Sequence, residues 1–252
     1  NLNTVVGAQA MVCNTANNNT AVGAVALNLN TTGCENTGIG HQALRGNTTA
    51  HCNTGIGSKA LCSNTTGCFN TAVGNAAMVL NTEGICNTAM GRNTLFSNTC
   101  GHCNVGIGSG ALYSNTTGCY NVALGTRALL FNTTARYNTV VGNGAMHQNT
   151  TGEYNVAVGM CSNYNSLTGG TNTFIGALAG LANKGSSNTS LGYSTLRCNQ
   201  AGCYNTAIGI NSMYYNTNGT YNSALGYAAL HCNTTGVQNT ATGIESLKNN
   251  TT

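Results

Sequence analysis

Of the 252 residues only 5% are Asp, Glu, Lys or Arg, against roughly 25% in ordinary soluble domains, so solubility must come from amides and hydroxyls. The net charge of +4 is carried by basic residues scattered along the chain, which excludes the clustered basic patch that nucleic acid needs. No apolar run approaches the ~20 residues of a membrane-spanning helix, so no membrane insertion is expected either.

The chain opens inside a repeat, at Asn1-Leu2-Asn3-Thr4, and reads as a mature or excised part of something longer. Repeat starts fall at Asn3, Asn19, Asn36, Asn53, Asn70, Asn87, Asn104, Asn121, Asn138, Asn155, Asn172, Asn188, Asn205, Asn222 and Asn239. Every step is 17 residues except Asn3 to Asn19 and Asn172 to Asn188, which are 16. So strict a short period indicates a solenoid rather than a globular core.

The consensus is N-T-A-V-G-x-x-A-L-x-x-N-T-T-G-x-x, numbered here 1 to 17. Positions 1 to 4 alternate like a short strand, with Thr and Val on one face and Asn and Ala on the other. Gly at position 5 (Gly40, Gly57, Gly74) allows a corner. Ala and Leu at positions 8 and 9 (Ala43-Leu44, Ala60-Leu61) supply a second apolar contact. N-T-T-G at positions 12 to 15 has turn chemistry, its Gly free to take a positive φ. A helical solenoid is rejected, because Asn, Thr and Gly form helices poorly and 17 residues cannot hold two helices and their turns.

The expected fold is therefore all-β: a β-solenoid, or β-roll, of about fifteen 17-residue coils rising ~4.8 Å each, roughly 70 Å in all. Residues 1–252 form a single array, with regular coils over 3–160 and 188–252. Between them, 161–187 is irregular and reads as a kink, a bulged loop or a junction. Position-1 asparagines should form an amide ladder, and Tyr120, Tyr137 and Tyr154 at position 17 should stack.

The unit resembles the N-T-A-V-G-x-x-A-L-x-x-N-T-T-G repeats of tail-fibre and fibre-like proteins of bacteriophages, large algal viruses and environmental bacteria. Asn104 to Tyr120 shows it (N-V-G-I-G-S-G-A-L-Y-S-N-T-T-G-C-Y). It is also similar to the head repeat of trimeric autotransporter adhesins, which implies a left-handed β-roll packed as a homotrimer. The longer coil and the cysteine content depart from that pattern, and a single self-contained solenoid is the alternative.

Thirteen cysteines suggest an oxidising, extracellular setting, a secreted fibre or a virion or cell surface. Cys13, Cys198 and Cys232 fall at position 11, Cys62 at 10, Cys34, Cys68, Cys119 and Cys203 at 16, and Cys52, Cys86 and Cys103 at 17. Disulfides are expected within a coil for Cys62/Cys68 and Cys198/Cys203, and between coils for Cys13/Cys34 and Cys86/Cys103. The competing reading is small side chains filling a narrow core. Cys100-Gly101-His102-Cys103 matches a disulfide-isomerase tetrad but lacks the helix N-terminus that this chemistry needs. His51-Cys52, His102-Cys103 and His231-Cys232 are adjacent pairs whose side chains should diverge, so no metal site is expected. Asn30, Asn47, Asn64, Asn115, Asn132, Asn149 and Asn233 head N-x-S/T triplets at position 12, read as an exposed edge. They are either glycan acceptors or plain turn sequence.

No catalytic constellation emerges from four scattered glutamates, so the chain is not expected to be an enzyme or to carry a cofactor. The expected role is structural, as the shaft of an extracellular fibre assembling with itself, as a trimer or end to end. Two alternatives stand beside it: an adhesin module contacting glycans or cell surfaces, for which only 161–187 breaks the repeat, and an ice-binding solenoid using the position-2 threonines.

Overall fold

The computed structural model describes residues 2–252 and is all-β. Each coil contributes one three-residue strand at positions 2 to 4, from Thr4–Val6 in the first coil to Thr240–Thr242 in the last. The coils form β-solenoid stacks grouped in two compact units. One runs through Arg127 and takes in Asn132–Thr134; the other holds Ala128–Phe131 and Ala135–Thr252. In the first unit successive strands pair parallel and in register, as Thr37↔Thr54↔Thr71 and Ile39↔Ile56↔Val73. The second unit repeats this, as Thr189↔Thr206↔Ser223. The irregular stretch keeps its strand, Thr173–Ile175, in register with the strands on either side.

The alternation in the strand decides what is inside. Position 3 is buried, as at Ala21, Ala72 and Ala123, while positions 2 and 4 face outward. Position 9 supplies the bulk of the core, with Leu27, Leu44, Leu61, Met78, Leu95 and Leu112 fully buried. A small residue at 3 thus faces a large one at 9. In the coil starting at Asn172 the sizes are exchanged: Phe174 sits at 3 and Gly180 at 9, where an added Cβ would overlap the Phe174 ring.

Two tight turns bend each coil. The position-8 N–H donates to the position-5 carbonyl (Ala43 to Gly40, 3.2 Å), and the position-12 N–H to the position-9 carbonyl (Asn47 to Leu44, 3.1 Å). Non-glycine residues at positions 7, 9 and 17 take left-handed φ values, as Gln42 at 59°, Leu44 at 51° and Cys52 at 57°. Each such residue costs about 1–2 kcal/mol. In return its N–H turns along the stacking direction: Gln42 donates to Ala24 (3.0 Å), Leu44 to Ala60 (2.9 Å) and Cys52 to Cys34 (3.1 Å).

Glycine at position 5 meets a double demand. Gly74 has φ 139°, and a Cβ there would lie 2.6 Å from the Gly91 carbonyl oxygen of the next coil. Position 15 differs from the expectation. Gly33, Gly67 and Gly84 do not adopt positive φ. Their lack of a side chain serves close approach instead, since a Cβ on Gly67 would come within 2.8 Å of the Asn64 Oδ1.

The 16-residue coils lose one residue at position 14. In regular coils the position-1 amide donates to the carbonyl 14 residues on, as Asn36 to Ala50 (2.8 Å); in the short ones it reaches 13 residues on, Asn3 to Ala16 and Asn172 to Gly185.

Candidate functional site

Two files of buried asparagine run through each unit. At position 1, each Oδ1 accepts the backbone N–H of the next coil's asparagine, as Asn53 to Asn36 and Asn70 to Asn53, both 2.9 Å. At position 12, each Nδ2 donates to the Oδ1 of the previous coil's asparagine: Asn47 to Asn30 (2.7 Å), Asn64 to Asn47 (3.0 Å), Asn81 to Asn64 (2.7 Å) and Asn98 to Asn81 (2.8 Å). Both files also donate to the position-15 carbonyl, as Asn53 and Asn64 do to Gly67. Most of these buried amides are thereby satisfied without water, as interior packing requires; Asn239 Nδ2, in the last coil, is an exception.

The second file corrects the expectation of an exposed position-12 edge. Asn30, Asn47, Asn64, Asn115, Asn132, Asn149 and Asn233 are all fully buried. A sugar on Nδ2 would replace a hydrogen that the file uses, and the folded coil has no room beside it. Sequon asparagines and non-sequon ones such as Asn81 and Asn98 play the same part.

None of the expected disulfides is formed in this structure, in which all thirteen cysteines are free thiols. Position-16 sulfurs fold back over their own turn, away from position 11. Cys68 donates to the Thr66 carbonyl (3.5 Å) and accepts from the His51 N–H (3.3 Å), and Cys203 makes the same contacts with Ala201 and Ser186. Cys62 is buried, and burial pushes its thiol pKa up against the opposing Arg45 and Lys59 charges. Burial raises Cys198 likewise. Cys34 faces the His51 ring, Sγ to Nδ1 3.2 Å, instead of Cys13, which is exposed. Cys86 and Cys103 stand in register as expected and interact as thiols; burial first, then the Cys86 and Cys119 neighbours, raise Cys103. Cys100 and Cys103 belong to a turn, with no helix N-terminus there to lower the first thiol's pKa as a redox tetrad requires.

Of the adjacent His-Cys pairs, His51 and Cys52 diverge: Cys52 donates to Glu35 Oε2 (3.3 Å), the His51 ring meets Cys34. His231 and Cys232 do not diverge, lying 3.5 Å apart, because positions 10 and 11 belong to a turn where both side chains face outward. Among the described residues no group of three or more His, Cys or Glu is placed to hold a metal ion.

Tyr137 and Tyr154 stack at position 17 with centroids 5.0 Å apart, and Tyr204 with Tyr221 at 4.9 Å. A second aromatic row, at position 10, was legible in the 17-residue spacing but not anticipated. It stacks Phe96 on Tyr113 (5.0 Å) and His147 on Tyr164 (4.7 Å), and sets Arg197 over Tyr214 (5.5 Å).

Among the described residues the position-13 row departs from its repeat in one place. Position 13 is Thr in most coils, its hydroxyl donating to the next coil's carbonyl, as Thr48 to Thr65 (3.0 Å). In three successive coils it is Leu167, Lys184 and Gln200. These side chains and position-11 Gln148, Asn165 and Ala182 line an open groove of about 300 Å³. Between the walls, at position 12, Ser166 replaces the usual asparagine and is too short to continue the file. Asn163, buried at position 9, partly substitutes for it by accepting from Asn183 (3.4 Å).

No protein-family model matches this chain, and neither a curated protein nor a solved structure matches it.

Proposed function

We propose that the chain is a structural protein, a solenoid segment of an extracellular fibre or fibril that assembles with copies of itself. The observation that carries this reading is the pair of buried asparagine files, running from coil to coil beside in-register backbone bonds. Each coil is held by its neighbours through the same few bonds, so length can be added without a new core. Nearly every buried polar group is committed to that stacking, which is the chemistry of a load-carrying element rather than of a reaction centre. A cryo-EM cross-section of the native material tests it. Three chains about an axis, or one chain continued end to end, supports the reading. A monodisperse monomer in the native material refutes it.

Ice binding is a second reading, favoured by the outward row of position-2 threonines, Thr37, Thr54, Thr71 and Thr88, in register on one face. The outward position beside it is aliphatic, Ile39, Ile56, Val73 and Met90, so the face carries one hydroxyl row. Thermal hysteresis in the purified chain decides this reading, and its absence removes it.

A further inference from the structure

We propose that the groove over the coils starting at Asn138, Asn155, Asn172 and Asn188 is a binding site for an acidic sugar residue, one bearing a carboxylate beside its hydroxyls.

Four observations converge there. The groove encloses about 300 Å³, the lower end of the ~300–1,000 Å³ typical of ligand pockets, a size for a sugar residue rather than an extended chain. It lies where the position-13 threonine row, unbroken through Thr82, Thr99 and Thr116 and resumed at Thr217 and Thr234, is replaced three times running. It exposes three side-chain amides, on Gln148, Asn165 and Gln200, that form no hydrogen bond of their own, although the buried amides at positions 1 and 12 are held in files. An amide offers both a donor and an acceptor, matching a hydroxyl, which does both. Finally, Lys184 is exposed in the groove wall without a carboxylate partner; the ion pair found among the described residues is Lys248–Glu245.

The ligand class follows from that set. One cation selects one anionic group, and a carboxylate takes a charge-assisted bond from the Lys184 ammonium. Three amides around it suit a polyhydroxylated ring better than an apolar or multiply charged molecule. Leu167 and Ala182 offer the apolar faces against which ring C–H groups pack, and the stacked His147–Tyr164 pair immediately precedes the groove residues Gln148 and Asn165. The site is independent of how chains assemble, so the shaft reading and this one can fail separately.

The test is titration of the purified chain with trigalacturonate and with the neutral trigalactose, followed by calorimetry or ligand-observed NMR. Saturable binding of trigalacturonate is expected, at least about tenfold tighter than the neutral sugar and weakened by salt. Lys184→Thr should lower that affinity about tenfold or more, and Lys184→Arg should retain most of it. Lys184→Thr is compatible with the fold, because the other 16-residue coil carries Thr15 at this place, its hydroxyl 2.8 Å from the Thr31 carbonyl. A circular dichroism spectrum unchanged from the parent establishes that each variant is folded. Lys59→Thr, in a coil far along the sequence, should leave binding unchanged. No saturable binding up to about 10 mM, equal binding of the neutral sugar, or indifference to Lys184→Thr each overturns the proposal.

Discussion

Replacing Asn81 by Ala puts the internal amide file to the test. The Asn81 Nδ2 donates to Asn64 Oδ1 (2.7 Å) and Gly84 O (3.0 Å), and its Oδ1 accepts from Asn98 Nδ2 (2.8 Å). Gly84 O keeps a donor, Asn70 Nδ2 at 2.7 Å. Asn64 Oδ1 and one Asn98 N–H lose their partners in a site with no access to water. Two orphaned buried groups at about 1–3 kcal/mol each give an expected loss of about 2–6 kcal/mol. The matched surface change, Thr82→Ala, removes a half-buried hydroxyl bond of 3.2 Å and should cost only ~1 kcal/mol or less. Urea unfolding followed by far-ultraviolet circular dichroism compares the two, and a loss no larger for Asn81→Ala than for Thr82→Ala would refute the assignment. The isosteric Asn81→Asp adds a signed check. Burial raises the introduced carboxyl above its unfolded value, so the folded state favours the neutral acid. Stability should be fullest below about pH 4 and fall as pH rises through the folded pKa.

Gly74→Ala should cost at least ~3 kcal/mol or prevent folding, because φ 139° and the Gly91 carbonyl both exclude a Cβ, whereas Gly110→Ala, at a left-handed position where other coils carry Gln42 or Lys59, should cost only about 1–2 kcal/mol and leave the chain folded, as urea unfolding will show. Gly180→Leu and Phe174→Ala should each destabilise, by about 3–5 kcal/mol for the cavity left by Phe174, but the double variant restores the usual small-large pairing and should recover more than about 2 kcal/mol of their sum in a double-mutant cycle. Cys62 should react with iodoacetamide more slowly at pH 8 than exposed Cys13, with mass spectrometry reading the sites, because burial holds its thiol protonated. Since that folded pKa is raised, its contribution to stability is complete below the unfolded value and is lost as pH rises through the folded one; unfolding scans above about pH 9 should show the decline, and Cys62→Ala should remove that component.

Much of the coil was legible because period and alternation act directly on side-chain direction. Asn-Thr-Ala-Val followed by Gly names its inward and outward positions, and the burial of Ala72 and Asn70 with the exposure of Ile56 follows from it. The left-handed residues were not legible. Leu44 and Tyr154 are not residues that favour φ > 0, and what holds them there is a bond to another coil, invisible in local propensity; only Gly110, Gly144 and Gly180 hint at it. The buried position-12 file was misread because N-T-T is also turn chemistry and a glycan acceptor pattern. A discriminating signal was present: Asn81-Thr82-Glu83 and Asn98-Thr99-Cys100 lose the acceptor triplet and keep the asparagine, so the amide is the constant. The groove was marked by the irregular composition near 161–187, but its walls come from four coils brought side by side, a relation that follows only once the register is known.

The inter-coil bonds join residues 16 to 18 apart almost throughout, as Thr48 to Thr65, Asn64 to Asn81 and Gln42 to Ala24 do. Average contact separation therefore does not grow with chain length, and as a fraction of the 252 residues it is roughly 17/252, or about 0.07, the range of fast-folding helical bundles despite an all-β structure. The slow step is forming the first two coils against each other. Afterwards each new coil closes a loop of constant size onto a ready template, and the entropic cost of that closure is the same at the tenth coil as at the third.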